Sequence, residues 1–166
     1  MAGASFELEL SGDVAGRLER LATVVSDLAP LLDEMGAAMV SGTQRRFELG
    51  QAPDGSPWLP SRRASEQGGQ TLIKDGHLRD SIIHNVDGDT VVVGSDRIYA
   101  AIHQFGGEIK PKSGKFLVFQ AGAGMVFARK VDIPARPFLG LSSTDEEILL
   151  GIAEDYLAQA VNEVSA

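Results

Sequence analysis

Hydrophobic and polar positions follow two different periods along the chain, and these periods predict its first elements. Apolar residues alternate with polar ones over residues 6–10, which is the period of two of a half-buried strand. From there the apolar residues recur every three or four positions, which predicts a long helix from Asp13 to about Gly50. The apolar seam of this helix consists of Val14, Leu18, Leu21, Val25, Leu28, Leu32, Met35 and Met39.

Pro30 lies inside this seam and has no backbone N–H to donate, so a kink or a break is expected there. Because the seam resumes in phase after the proline, the pattern favours a kink within one helix. The seam has two interpretations. The seam forms a coiled coil, or the helix lies across the sheet of its own chain, which we favour.

Short elements are predicted in the middle of the chain. Residues 51–75 are rich in Gly, Pro, Ser and Arg without a clear period, and they predict a long loop excursion. A hairpin follows, with strands over residues 82–86 and 90–94 joined by an Asp-Gly-Asp turn. The other short elements predicted here are helices over residues 77–81 and 98–104 and strands over residues 116–119 and 125–131.

The C-terminal segment predicts an amphipathic helix that begins at Thr144, where a capping box with Glu147 is expected, and continues to near the C-terminus. The 166 residues contain no internal repeat and no domain boundary, so we expect a single domain over residues 1–166. Its fold class is α+β. One antiparallel sheet of about four or five strands would be covered by the kinked N-terminal helix and the C-terminal helix.

The composition is that of a globular protein made in a reducing cytoplasm. There is no cysteine, the start does not resemble a signal peptide, and no apolar stretch approaches the length of about 20 residues that spans a bilayer. The net charge of −8 is unevenly placed. Residues 1–42 carry seven acids against two arginines, and residues 137–166 carry six acids without Lys or Arg, whereas residues 111–136 have a balance of +4. These charges are either solvated faces of mixed sign or complementary surfaces of neighbouring copies.

Three runs couple aromatic residues to Gly or Pro, which suits contacts better than chemistry. They are Pro-Asp-Gly-Ser-Pro-Trp-Leu-Pro at 53–60, Tyr-Ala-Ala-Ile-His-Gln-Phe-Gly-Gly at 99–107 and Ile-Pro-Ala-Arg-Pro-Phe-Leu-Gly-Leu at 133–141. Catalysis needs a convergent set of titratable groups, and these runs hold one histidine and one arginine. The interface candidates are Trp58, Leu59, Tyr99, His103, Phe105, Lys112, Lys115, Arg136 and Phe138.

Three of these candidates have alternative interpretations. Trp58, held between prolines, anchors an interface or pins the long loop to its own core. His103 has no metal-ligand spacing to His77 or His84, and we expect a hydrogen-bonded, partly buried histidine. Arg136 clamps a carboxylate of a neighbouring protein or pairs with an internal acid.

Together with Gly-His-Leu-Arg-Asp-Ser-Ile at 76–82, and in this order, the three runs resemble the Mu-like phage virion morphogenesis family, also called phage tail completion proteins. The resemblance covers roughly residues 47–150. It implies a structural protein of the head–tail junction or upper tail of a tailed phage or prophage, with no catalytic residue and no cofactor.

By analogy with the symmetry of phage necks and tails, we expect a homo-oligomer in the form of a hexameric ring. Its partners would be head–tail connector, tail terminator or tail tube proteins, and genomic DNA would pass through its lumen without specific binding. No membrane partner is expected. The protein would be in the host cytoplasm during assembly and in the virion afterwards.

Two other functions stand beside this one. The first is an assembly factor that is absent from the finished particle. The second is a small hydrolase or nuclease that uses His103 with Asp96 or Asp80. Because these groups fall in separate elements and no motif joins them, we do not expect an enzyme.

Overall fold

The computed structural model describes residues 12–121 and 124–165, and these residues form an α+β fold, as the sequence predicts. The strand expected over residues 6–10 lies outside the described residues. In chain order the elements are α1 Gly12–Val24, α2 Ala29–Leu49, α3 Arg62–Gln67, a 3₁₀ helix Arg79–Ser81, β1 Ile82–Asp87, β2 Thr90–Ser95, α4 Ala100–Phe105, β3 Gly107–Ile109, β4 Leu117–Ala121, β5 Gly124–Ala128, β6 Val131–Ile133 and α5 Ser143–Ser165.

The long helix expected in the N-terminal part is two helices, so the prediction of a kink within one helix is wrong. α1 ends at Val24, and α2 begins at Ala29 with Pro30 in its first turn. Proline is tolerated there because the first N–H groups of a helix have no acceptor within it. The Asp27 carboxylate accepts a hydrogen bond from the Ala29 N–H at 3.0 Å, which satisfies one of these donors.

The second half of the apolar seam packs on its own chain, as favoured above. α2 lies against β1, β2 and α5, and α1 lies against α5. The Tyr156 hydroxyl of α5 donates to the main-chain carbonyls of Val24 and Asp27, at 3.1 and 2.7 Å, so α5 holds the segment between α1 and α2. In α1, Val14 and Leu18 remain exposed.

The described strands form three antiparallel pairs, so the prediction of one sheet of four or five strands is wrong. β1 pairs with β2, β3 with β6, and β4 with β5. The β1–β2 hairpin is confirmed, with a register from Ile82 opposite Ser95 to Asp87 opposite Thr90. The single strand expected over residues 125–131 is divided by a bend, and its two halves, β5 and β6, pair with different partners.

The prediction missed one helix and misplaced the start of another. α3 lies inside the excursion over residues 51–75, where no helix was expected. α5 begins at Ser143, and its capping box is made by Ser142 and Asp145 instead of Thr144 and Glu147. The Ser142 N–H donates to the Asp145 carboxylate at 2.7 Å, and the Asp145 N–H donates to the Ser142 hydroxyl at 3.1 Å.

The apolar core lies where α2 meets the loops on either side of the β1–β2 hairpin. Phe47 and Phe138 are fully buried at its centre, and Trp58, Leu78 and Ile82 pack around them. Within the part of the chain that the structure describes, no helix is long and apolar enough to cross a membrane.

Candidate interface and its supporting core

The first and third aromatic runs meet at Phe47 of α2. The Trp58 ring lies edge-on to the Phe47 ring, with centroids 5.5 Å apart and an interplanar angle of 76°. The Phe138 ring is tilted by 46° against the Phe47 ring, with centroids 5.2 Å apart. The Trp58 indole N–H donates to the Pro137 carbonyl at 2.9 Å. Trp58 is therefore buried in its own core, where it pins the long loop, which is the second of its two interpretations.

Arg136 reinforces the same junction from the third run. Its guanidinium donates to the carbonyls of Leu59, at 2.7 Å, and Pro60, at 3.5 Å, and its main-chain N–H donates to the His103 carbonyl at 2.7 Å. Of its two interpretations, pairing with an internal acid is not seen among the described residues, because the guanidinium of this buried side chain bonds to main-chain carbonyls of its own chain instead. Burial lowers the pKa of Arg136, because the charged form loses hydration.

Gln104 joins the second run to the third. Its side-chain carbonyl accepts hydrogen bonds from the N–H groups of Phe138 and Leu139, at 2.9 and 3.0 Å. Its side-chain NH₂ donates to the Leu139 carbonyl at 2.9 Å. One amide thus satisfies three main-chain groups of a segment that belongs to no strand. The sequence places Gln104 beside His103, but nothing in the pattern marks it as the residue that makes these contacts.

A buried ion pair closes the junction. The Arg46 guanidinium donates to the Asp145 carboxylate, to the Phe138 carbonyl at 3.0 Å and to the Thr43 hydroxyl at 3.3 Å. Both charged side chains are almost fully buried. The close approach of α5 depends on Gly42, because a Cβ there would lie 2.6 Å from an oxygen of Asp145.

Sequence patterns do carry one signal for this ion pair. Arg46 lies seven residues after Met39, the last residue of the apolar seam, so it occupies a position that the helical spacing directs inward. A charged residue at a buried position requires a partner. The identity of that partner, Asp145, follows only from the approach of α5.

His103 is partly buried, as expected, but its Nδ1 atom is buried without a hydrogen-bond partner, so the expected hydrogen bond is absent at that atom. Its ring lies edge-on to Tyr99, with centroids 6.1 Å apart. Burial, and to a smaller extent the positive charge of Arg136, lowers the pKa of His103, because both disfavour the protonated ring.

The acids considered as catalytic partners of His103 bond elsewhere. The Asp80 carboxylate accepts a hydrogen bond from Arg79 at 2.7 Å, and Asp96 lies 3.9 Å from Arg97. Neither forms a hydrogen bond or an ion pair with His103. Over residues 12–121 and 124–165, no three His, Cys, Asp or Glu side chains are grouped as a metal site would require.

The remaining candidates lie on the surface. Leu59, Tyr99 and Phe105 are exposed, although Leu59 is next to buried Trp58. Lys112 and Lys115 are exposed in the segment between β3 and β4. These side chains are available to another molecule, and their part in an interface stays a prediction.

The three aromatic runs are thus hydrogen-bonded to one another inside the fold, while other apolar and charged side chains are exposed on its surface. This arrangement is that of a protein built to make contacts. The chain belongs to the phage virion morphogenesis family, which it matches over residues 12–158. The resemblance seen in the sequence is confirmed.

Two curated relatives agree with this assignment. The Mu-like prophage FluMu G protein 2 of Haemophilus influenzae is 34% identical over 150 residues, which cover 90% of this chain and 93% of that protein. The putative capsid assembly protein G of Escherichia phage Mu is 33% identical over 143 residues, which cover 78% of this chain and 79% of that protein. No solved structure matches the chain significantly.

Proposed function

We propose that this chain is a structural virion protein of a tailed phage or prophage that completes the tail or joins it to the head. The observation that carries the proposal is the family match over residues 12–158, which runs from the start of α1 into α5. The protein would act by docking, with copies of itself arranged as a hexameric ring and with connector, tail terminator or tail tube proteins above and below.

The surface supports docking as the mechanism. Large apolar side chains such as Ile98, Phe105 and Leu59 are exposed, and such side chains form interfaces when they cluster. The buried junction holds the segments of Leu59 and Phe105 in place through hydrogen bonds of Arg136 and Gln104 to the main chain, which limits the conformational entropy lost on binding. DNA would pass without specific binding, because a net charge of −8 does not favour contacts with phosphates.

A role in assembly without a place in the finished particle is the second candidate. It is favoured by one observation, because the relative from Escherichia phage Mu is named a putative capsid assembly protein. A factor of this kind would be needed for infectious particles and would be absent from them.

Deletion of the gene from the phage or prophage that encodes it tests these proposals, with the wild-type gene supplied in trans as the control. We expect no infectious particles, and electron microscopy should show heads and tails that fail to join or tails that lack their end structure. Mass spectrometry of the complemented particles should find the chain in them. Its absence from infectious particles would establish the assembly factor instead, and a deletion that yields normal infectious particles would overturn both.

A further inference from the structure

One face of the β4–β5 hairpin carries apolar side chains that are more exposed than those of the other face. Val118 and Phe127 lie directly opposite each other on this face, and Met125 lies on it opposite Gln120. These three apolar side chains are 52%, 65% and 61% exposed, whereas on the other face Val126 is half-buried and Phe119, opposite it, is 38% exposed. A two-stranded hairpin is only marginally stable by itself, so covering this face would stabilise it.

The margin of the hairpin face is basic. Arg129 follows Phe127 by two residues, and Lys112 and Lys115 lie in the segment that leads into β4. Among the described residues none of these three cations forms an ion pair, in contrast to Lys130, which pairs with Glu108. Their charges are therefore free to meet carboxylates of another molecule.

A second exposed apolar stripe runs along α5. Leu150, Leu157 and Val161 are 64%, 53% and 50% exposed. Their spacings of seven and four residues place them on one side of the helix. Glu154 lies within this stripe and Glu146 one turn before it. α5 contains no Lys or Arg, and neither glutamate pairs with a described residue.

We propose that the exposed face of the β4–β5 hairpin packs on the α5 stripe of a second copy of this chain. Both surfaces are apolar at the centre, and their margins carry opposite charges, which favours this pairing over hairpin on hairpin or α5 on α5. The hairpin does not cover α5 of its own chain, because both sets of side chains are exposed. The inference rests on the proposed function, since it names the surfaces through which copies associate.

The pairing has a geometric consequence. Each copy carries one exposed face of the β4–β5 hairpin and one α5 stripe, so every contact joins two different surfaces. Such a head-to-tail contact leaves a free hairpin at one end of any open oligomer and a free α5 at the other, and it is satisfied throughout only when a ring closes.

Two variants test the pairing. Phe127→Asp places an acid on the hairpin, facing the acidic margin of α5, and Leu157→Lys places a base on α5, facing the basic margin of the hairpin. Each purified variant should associate at least about tenfold more weakly than the wild type in sedimentation velocity. A mixture of the two should form a dimer, because the intact α5 of the first variant can still bind the intact hairpin of the second.

Matched controls are available on the same chain. Val92→Asp changes a valine of β2 that is 58% exposed, close to the exposure of Val118, and Ile148→Lys changes the far side of α5 from Leu150. Both should assemble like the wild type, and circular dichroism should show that all four variants fold. A charge exchange of Arg129→Glu with Glu154→Arg should restore association that either change alone weakens.

Three results would overturn the inference. They are a wild type that stays monomeric up to its solubility limit, folded variants that assemble like the wild type, and a variant mixture that stays monomeric. The proposed function is tested separately by the presence of the chain in phage particles. If the protein is monomeric but is still found in particles, only the proposed pairing of the β4–β5 hairpin with α5 is overturned. If the protein forms rings but particles do not require it, only the proposed function is overturned.

Discussion

Arg46 and Asp145 are 99 positions apart in the chain, and they form a buried ion pair that joins α2 to the first turn of α5. Asp145 also accepts hydrogen bonds from the N–H and the hydroxyl of Ser142, and Arg46 also donates to the Phe138 carbonyl. The pair therefore lies within a network of hydrogen bonds that involves the residues on both sides of it. Breaking such a pair is costly, because it leaves one charge buried without a partner.

Asp145→Ala should lower the free energy of unfolding by about 3–5 kcal/mol, because Arg46 loses its counter-charge and α5 loses its capping box. Denaturant unfolding measures this loss. Asp155→Ala, an exposed acid on the same helix, is the control and should change stability by no more than about 0.5 kcal/mol. The double variant Arg46→Met with Asp145→Leu should lose less than Asp145→Ala. A double variant that loses more would contradict this account of the pair.

Trp58→Phe should destabilise the protein by about 1–3 kcal/mol, since the Pro137 carbonyl loses its donor in a part-buried site. Trp58→Ala should cost about 3–5 kcal/mol, because it also empties the space against Phe47. Leu59→Ala is the control. It trims an exposed side chain and keeps the carbonyl that accepts from Arg136, so stability should change by no more than about 0.5 kcal/mol. Unchanged unfolding of Trp58→Ala would show that the tryptophan does not hold the loop.

Gln104→Met keeps the length of the side chain but removes its polar atoms. We expect the free energy of unfolding to fall by about 1–3 kcal/mol for each main-chain group of Phe138 and Leu139 that is left buried without a hydrogen-bond partner. Hydrogen exchange of the two amides, followed by NMR, should become faster. The same change at exposed Gln120 should leave both amides protected. Protection retained in Gln104→Met would mean that the amide is not what orders this segment.

Gly36→Ala and Gly16→Ala should change stability in opposite directions. A Cβ at Gly36 would lie 2.6 Å from Cγ of His84 and 2.9 Å from Cγ2 of Val91, so α2 would be pushed from the hairpin at a cost of about 1–3 kcal/mol. A Cβ at Gly16 meets nothing within 4 Å, and the helix propensity of alanine should stabilise α1 by up to about 1 kcal/mol. Thermal unfolding of both variants compares the two, and a gain at Gly36 would contradict the close packing of α2.

The free energy of unfolding should decrease as the pH falls below about 6.5, the ordinary pKa of histidine. The pKa of His103 is lowered in the folded protein by burial and by Arg136, so the unfolded chain takes up the proton first. Linkage then makes stability rise with pH across this window and level off above it. His103→Gln should flatten the slope between about pH 7 and pH 5 and leave the curves parallel above about pH 8. An unchanged slope would show that His103 does not titrate with folding.

The elements that the sequence predicts well are those with a long repeating pattern. α2, α5 and the β1–β2 hairpin each present several apolar positions or a marked turn. α3 and β3 have six and three residues, which is too short for a period to be recognised. Strand pairing was not predictable, because β3 and β6 are brought together by the intervening β4–β5 hairpin and have no shared pattern.

The sequence by itself determined the α+β class, the main helices, the first hairpin and the family, because periodicity and the placement of Gly and Pro act over short distances along the chain. Only the tertiary structure decided what the marked residues do. Trp58 and Arg136 could have faced a partner, and instead they bond to carbonyls in each other's runs. Arg46 likewise meets Asp145 only because α5 packs against α2. Burial depends on which distant segments come together, and the cost of leaving a buried polar group unpaired then selects its partner.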